Sequence, residues 1–259
     1  MNIDTIEVPK VEAKPTDRVV VYSGTRKVYK DMVTAAKSLI AHTKVDRVYF
    51  MVEDSKEKFP LEVPDWFKFV NVVNQKYFMV TCPNRNSHLT YMVLMRAAFH
   101  RIFSTELKVL QLDCDTVVTG DIGGLWDDYD MTDYYFACVK EPECCKGGKD
   151  WRRFTDTYYN MGVALMNLEK LRDGKGDRII RQINFVKYNA NEQDAINEWC
   201  KDQILELPNI YNAGNDWTGF PENSLITHFA GVMDWRKEPL WKKYETMSWD
   251  EALEMGGYK

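Results

Sequence analysis

Two aspartates, Asp113 and Asp115, have the types and spacing that most directly indicate chemistry in this 259-residue chain. They follow the apolar run at residues 107–112, which predicts a β-strand. Because alternate residues of an extended chain point to the same side, we expect both carboxylates to converge on one cation at the carboxyl end of that strand. Carboxylate oxygens suit Mg²⁺ or Mn²⁺, and a diphosphate can complete the coordination. Acidic turns without any metal are also common after strands, so both interpretations stay open for this triplet alone.

The elements that position these aspartates alternate between strands and helices. β-branched and apolar runs predict strands at residues 18–23, 46–52, 68–73, 107–112, 134–140, 161–167, 204–207 and 225–229. Helical spacing of apolar residues predicts helices at 29–43, from a cap at Asn86–Ser87 to about 103, at 177–188 and at 192–200. Residues 208–221 predict a surface loop. The order favours an α/β fold with a Rossmann-like mixed, mainly parallel sheet flanked by helices.

Composition narrows the classes of protein and partner. The chain carries 34 Lys and Arg against 39 Asp and Glu, a net charge of −5, so nucleic acid is not an expected partner. No run approaches 18 consecutive apolar residues, and the polar start has no apolar segment typical of a secretory signal, which predicts no transmembrane segment and a cytoplasmic location. Six cysteines without a C-x-x-C pair predict free thiols. We expect a flexible leader at 1–17 and a single domain at 18–259 with a C-terminal helical elaboration.

Four ordered segments give the chain a family resemblance. They are the strand and D-x-D block at 109–126, YYNMGVALMNLEKLR at 158–172, NEQDAIN at 191–197 and THFAG at 227–231. In this order they resemble glycosyltransferase family 8, which includes glycogenin and bacterial lipopolysaccharide galactosyl- and glucosyltransferases. The resemblance runs from about residue 19 to 241. It implies a GT-A fold, a nucleotide-sugar donor, a divalent metal and transfer with retention of anomeric configuration.

The resemblance also implies a metal ligand set. Asp113 and Asp115 match the family's metal-binding pair, and His228 matches its third protein ligand. A nitrogen ligand favours Mn²⁺ over Mg²⁺. The alternative for His228, beside Phe229 in an apolar strand, is a hydrogen-bonded core histidine.

Several positions match the family's donor site. The exit of the first strand, Tyr22, Ser23, Gly24 and Thr25, takes the place of the nucleoside site, and Tyr29 is a candidate to stack on the base. The family usually has an acidic residue or an asparagine in this turn, where this chain has Gly24-Thr25; uridine is the default base. The other matched donor positions are His88, Arg96, Cys114, Asn160, Gly162 and Gly231. For Arg96 a surface or interhelical salt bridge is the alternative.

Three consecutive polar residues match positions beside the donor sugar. Glu192 and Asp194 are candidate carboxylate nucleophiles, whereas the amide of Gln193 would be a poor one. An acidic first helical turn favoured by the helix dipole explains the same composition, and both interpretations can hold together. Glu192 stands where the family commonly has Asp.

One departure from the family affects the diphosphate. Three residues beyond the Gly of His-x-x-Gly, where the family has a lysine, this chain has Asp234. A carboxylate would repel a diphosphate, so we expect Arg236 or Lys237 to replace that lysine.

The expected activity is transfer of a hexose from a nucleotide sugar, by default UDP-hexose, to a hydroxyl of an acceptor glycan, lipid-linked sugar or protein. Trp217, Trp235 and Trp241 are candidates to line the acceptor cleft, although core packing is the expected role for most of them. Two other functions stay open: a sugar-nucleotide pyrophosphorylase, and a non-catalytic carbohydrate-binding protein on a degenerate transferase fold. Asp234 favours the second, and the aspartate pair with His228 argues against it.

Overall fold

A computed structural model describes residues 6–53, 59–72, 75–85, 91–141, 157–214, 223–232 and 234–259. Its strands are β1 (Ile6–Glu7), β2 (Val19–Gly24), β3 (Arg47–Glu53), β4 (Lys68–Val72), β5 (Lys108–Leu112), β6 (Thr116–Val118), β7 (Phe136–Lys140), β8 (Tyr159–Asn167), β9 (Ile204–Leu207), β10 (Ala213–Gly214) and β11 (Ile226–His228). Its α-helices are α1 (Tyr29–His42), α2 (Phe99–Ile102), α3 (Gly124–Asp127), α4 (Leu168–Leu171), α5 (Lys175–Phe185), α6 (Asn191–Cys200), α7 (Pro239–Thr246) and α8 (Trp249–Met255). Among these residues no helix is long and apolar enough to cross a membrane.

The central sheet has the order β1-β4-β3-β2-β5-β8-β7-β9. Strands β4, β3, β2 and β5 run parallel, β8 runs antiparallel between β5 and β7, and β7 pairs parallel with β9. One apolar cluster packs α1, α7 and α8 against one face, and a second packs α5 and α6 against the other. The predicted mixed, mainly parallel sheet flanked by helices is therefore confirmed. The edge strand β1 lies inside the segment predicted as a flexible leader, where Ile6 pairs with Val72.

The sheet reverses its order beside β2. Strand β2 pairs with β3 on one side and with β5 on the other, so the connections leaving β2 and β5 diverge at their carboxyl ends. In open α/β sheets such a switch point leaves a crevice that binds ligands. Gly24 ends β2 and Asp113 follows β5, so both lie at this edge.

A second, three-stranded sheet brings the end of the chain to the same edge. Its order is β10-β11-β6, with His228 opposite Thr116 and also opposite Gly214. The backbone N–H of Phe229 donates to the carbonyl of Asp115 at 3.0 Å. These short strands join His228 to the residues that follow β5.

Local structure can be compared with the expectations at three further places. The helix predicted up to residue 103 is a 3₁₀-helix over Tyr91–Ala98 followed by α2, and its predicted cap and His88 lie outside the described residues. The predicted surface loop at 208–221 carries a fully buried Asn212 and then β10. Trp235 and Trp241 pack edge to face at 4.3 Å in the core with Phe229, so these two tryptophans have the expected core role and do not line a cleft. Trp217 lies outside the described residues.

Candidate metal and donor site

The Asp113-Cys114-Asp115 segment is a turn rather than a continuation of the strand. Both the backbone N–H and the hydroxyl of Thr116 donate to the carbonyl of Asp113, at 3.2 and 2.7 Å. The N–H of Asp113 donates to the carbonyl of Gly162 on β8 at 2.8 Å. The expectation that strand alternation aligns the two carboxylates is therefore wrong, because the turn aligns them.

The two carboxylates and His228 form one cluster. One ligand atom from each of Asp113, Asp115 and His228 lies within 4.8 Å of the others. The Nε2 atom of His228 lies 3.3 Å from Oδ1 of Asp115 and 3.9 Å from Oδ2 of Asp113. Two carboxylates and one imidazole are a donor set that binds divalent cations and suits Mn²⁺.

The orientation of His228 is set by two asparagines. Its Nδ1 lies 2.9 Å from Oδ1 of Asn212, whose amide nitrogen donates to Oδ1 of Asn160 at 3.0 Å. Because Asn212 uses its nitrogen on Asn160, its oxygen accepts from Nδ1–H of His228. This leaves Nε2 as the ring nitrogen that faces the carboxylates, and it is the atom that can bind a metal once it has lost its proton.

Gly162 leaves the space in which the His228 ring lies. A Cβ atom at residue 162 would stand 2.1 Å from Cε1 of His228 and less than 3 Å from both ring nitrogens. Gly162 matches a donor position of the family, and the neighbour observed here is the imidazole of His228. Any side chain at this position would displace the histidine.

The charges within the cluster shift the pKa values of His228 and Asp115. Burial disfavours the charged form of His228, but the carboxylates of Asp115 and Asp113 outweigh it and raise the pKa of the imidazole. Burial likewise acts to raise the pKa of Asp115, and His228 outweighs it, so that the pKa of Asp115 is lowered. The carboxylates thus favour positive charge at this position, as expected of a site for a cation.

Arg96 connects the cluster to α6. Its Nη2 donates to Oδ1 of Asp113 at 2.7 Å, its Nε lies 3.1 Å from Oε1 of Glu192, and its Nη1 donates to the carbonyl of Met161. The side chain is only 6% exposed, so its ion pair with Glu192 on α6 is an interhelical salt bridge, as the alternative predicted, and not a surface one. Burial raises the pKa of Glu192 to about 7 even with Arg96 beside it.

A network of amides and one carboxylate lies next to this pair. Gln193 donates to Oε1 of Glu141 at 3.0 Å and accepts from the backbone N–H of Met161 at 2.9 Å. Asn160 donates to the same Glu141 oxygen at 3.1 Å. Through Asn160 the network continues to Asn212 and the metal ligand.

Both carboxylate oxygens of Asp194 accept hydrogen bonds from neighbouring groups. Oδ1 accepts from the hydroxyl of Tyr158 at 2.5 Å, and Oδ2 accepts from the backbone N–H groups of Asn189 and Ala190. With both oxygens engaged in the core, Asp194 holds the start of α6 and is poorly placed to attack a sugar.

At the exit of β2, the two tyrosines point away from the crevice. Tyr22 is fully buried and packs against Phe50, and its hydroxyl has no hydrogen-bond partner among the described residues. The ring of Tyr29 is also buried and its hydroxyl donates to the carbonyl of Glu53. The side chains of both tyrosines therefore lie in the core. Ser23, Gly24 and Thr25 remain at the carboxyl end of the strand.

The remaining predicted donor residues differ in their surroundings. Cys114 is half-buried between the two aspartates, with its pKa raised by burial and by their charge. Gly231 has a φ of 77°, a conformation that favours glycine, in the turn after His228. Arg236 is held in a bidentate ion pair by Asp31, at 2.9 and 2.5 Å, whereas Lys237 pairs with Asp234 on the surface.

Sequence reasoning missed Asn212, Glu141 and Asp31. Asn212 lies in a segment whose composition predicts a loop, and Glu141 follows β7 just before residues outside the description. Asp31 in the first turn of α1 has the composition of an ordinary dipole-stabilising residue. Of these three residues, only Glu141 could have been found from the sequence, because it directly follows a predicted strand.

Solved structures share this fold. The glycosyltransferase GlyE of Streptococcus pneumoniae superposes with a TM-score of 0.65 at 22% identity, covering 92% of this chain and 62% of that chain. The galactosyltransferase LgtC, crystallised in complex with donor and acceptor sugar analogues, superposes with a TM-score of 0.65 at 17% identity, covering 93% of this chain and 95% of that one. These neighbours are GT-A glycosyltransferases, which confirms the predicted GT-A fold.

Sequence comparison gives the family. GlyE of S. pneumoniae serotype 4 is 28% identical over 217 residues, 76% of this chain and 48% of GlyE. General stress protein A of Bacillus subtilis is 31% identical over 178 residues, 56% of this chain and 59% of that protein. The chain thus spans about half the length of these curated relatives. The model of glycosyl transferase family 8 matches residues 19–238, and the chain belongs to this family of glycosyltransferases.

Proposed function

We propose that this chain transfers a hexose from UDP-hexose to a hydroxyl of a glycan, lipid-linked sugar or protein, with retention of configuration and with Mn²⁺ or Mg²⁺ as cofactor. Residues 18–259 act as one catalytic domain. Among the described residues Cys82, Cys114, Cys138 and Cys200 are free, which fits the reducing cytoplasm that we propose as the location of the protein.

The convergence of Asp113, Asp115 and His228 at the switch point of the sheet carries this proposal. Two side chains from a turn and one from a distant strand meet, with one ligand atom of each within 4.8 Å of the others. The fixed tautomer of His228 and the space at Gly162 both serve that meeting. A bound divalent cation supplies positive charge that stabilises the departing diphosphate.

The residues beside the cluster suit the donor sugar. Glu141, Asn160 and Gln193 present carboxylate and amide groups that can donate to and accept from sugar hydroxyls. Arg96 forms ion pairs with both Glu192 and Asp113 of the cluster. We therefore assign the Arg96–Glu192 pair the role of positioning the donor sugar relative to the diphosphate. Positions held by such hydrogen bonds keep their geometry while the donor reacts.

For the diphosphate we choose Arg236 over Lys237. Arg236 is oriented by Asp31, whose hydrogen bond contributes most to raising the pKa of the guanidinium, and the charge of Asp115 raises it further. Lys237 extends to the surface, where it pairs with Asp234 and is 77% exposed. A guanidinium can bind phosphate with two parallel donors, which an ammonium cannot.

Donor screening tests the proposal directly. The full chain is incubated with a panel of nucleotide sugars, with and without Mn²⁺, and free nucleoside diphosphate is measured. We expect release from UDP-hexose that stops on chelation and returns with Mn²⁺. Release that is unchanged by a chelator contradicts the metal role, and pyrophosphate consumption without nucleoside diphosphate release indicates a pyrophosphorylase instead.

Two neighbouring variants test the diphosphate assignment. Arg236→Ala should weaken UDP binding by at least about 10-fold, the order of a lost charge-assisted hydrogen bond of 1.5–3 kcal/mol. Lys237→Ala is the matched control and should bind UDP as the wild type does. Equal affinity of Arg236→Ala and wild type contradicts the assignment.

A further inference from the structure

A group of exposed apolar side chains lies away from the metal and donor cluster. Of the described residues, the large apolar ones with marked exposure include Met79, Val80, Phe185 and Val186, with Val80 82% and Phe185 70% exposed. They come from two chain segments, residues 75–85 and the carboxyl end of α5. Monomeric proteins seldom expose contiguous apolar groups of this kind without an interaction.

Buried asparagines hold the two segments side by side. Asn184 accepts from the backbone N–H of Met79 at 2.8 Å and donates to the carbonyl of Tyr77 at 2.7 Å. Asn84 donates to the carbonyls of Ile183 and Val186 at 2.6 and 2.7 Å. The backbone under the apolar side chains is therefore fixed, and their exposure is a feature of the packed structure.

The charge of this face is opposite in sign to that of the whole chain. Residues 75–85 and 178–188, which we call the apolar-basic face, contain no Asp or Glu and carry the basic residues Lys76, Arg85, Arg178, Arg181 and Lys187. Asp177, the acid just before them on α5, is already paired with Arg101. Arg181 lies one helical turn before Phe185, so basic and apolar groups share one side of α5. The chain as a whole has a net charge of −5.

We propose that the apolar-basic face binds the surface of an anionic lipid bilayer. Protruding apolar side chains enter the boundary between headgroups and acyl chains, while the surrounding lysines and arginines attract anionic headgroups. A second copy of this chain fits less well, because a two-fold contact would bring two basic faces together.

Vesicle co-sedimentation of the full chain tests this proposal. Wild type should bind vesicles containing phosphatidylglycerol, bind neutral phosphatidylcholine vesicles far more weakly, and dissociate as salt rises. Lys76→Gln/Arg181→Gln should reduce binding about 30-fold, from about 1 kcal/mol for each basic residue near the surface. Val80→Ser/Phe185→Ser should reduce it by at least about 10-fold.

Matched controls come from elsewhere on the surface. Met255→Ser removes an apolar side chain that is 52% exposed on α8, and Lys44→Gln/Lys201→Gln removes two charges outside the face. Both should bind as wild type, and circular dichroism should show all variants folded. Absence of wild-type binding overturns the proposal, as does equal binding by the face variants. A wild-type dimer in sedimentation equilibrium that Val80→Ser/Phe185→Ser dissociates also overturns it, in favour of a second copy.

Discussion

Replacing Gly162 by alanine should impair metal binding while the protein still folds. The added Cβ would stand 2.1 Å from Cε1 of His228, so the ring must move by more than about 1 Å to regain ordinary van der Waals contact. Rotation of the ring would break the hydrogen bond between Nδ1 and the oxygen of Asn212. Displacement of Nε2 removes one of three ligands from the cluster.

The size of the effect follows from this displacement. Overpacking of a close-packed interior costs about 1–3 kcal/mol of unfolding free energy. Loss of an oriented ligand should weaken Mn²⁺ binding by at least about 100-fold, since disturbing even a group that orients a ligand costs about 10- to 100-fold. Isothermal titration calorimetry with Mn²⁺ and UDP measures the affinity, and urea unfolding measures the stability.

Gly176 provides the control. Alanine there would place Cβ 2.4 Å from Cε1 of His100, a buried histidine outside the cluster. Gly176→Ala should therefore lose a similar free energy of unfolding and keep wild-type Mn²⁺ affinity. A folded Gly162→Ala variant that binds Mn²⁺ as tightly as wild type would refute the reasoning.

Three other substitutions give graded outcomes. Asn212→Leu should weaken Mn²⁺ binding about 10- to 100-fold, because His228 loses the acceptor that fixes its tautomer, and Asn212→Asp, which keeps that acceptor, should lose less; equal losses in calorimetry would contradict this. Burial raises the pKa of Glu192 to about 7 from an ordinary 4.5, so the folded wild type binds more protons than the unfolded chain between these values and loses stability as pH rises through 7. In metal-free buffer Glu192→Gln should therefore gain stability relative to wild type from pH 5 to pH 8 in urea unfolding, and a difference that does not change with pH would count against it. Trp241→Ala should cost about 3–5 kcal/mol, because Trp241 is fully buried, and an unchanged thermal midpoint would show that it does not pack in the core.

The sequence was sufficient for most of the fold, because long apolar runs and helical spacing are strong local signals. The strand at residues 204–207 was predicted without error, and α1 was predicted within one residue. The strands β6 and β10 were missed because three or two residues carry no periodicity. They form through pairing with β11, which is a long-range contact.

The prediction that the three metal-ligand candidates lie close together is confirmed, but part of the reasoning behind it was wrong. Residue types and family spacing indicated Asp113, Asp115 and His228, whereas their alignment comes from a turn and a small sheet. Tyr22 and Tyr29 were assigned to the nucleoside by position alone, and burial shows why position is insufficient. A strand-end tyrosine can point into the core or into the crevice, and only the packing of the sheet decides between them.

The most direct test of the account is the location of bound manganese in crystals grown with Mn²⁺ and UDP. Anomalous diffraction at the manganese edge should show one strong peak surrounded by Asp113, Asp115 and His228, and crystals of His228→Ala should lose it or show it much weakened. A peak elsewhere on the chain, or none at this cluster in crystals that contain bound UDP, would contradict the central claim that these three residues form the metal site.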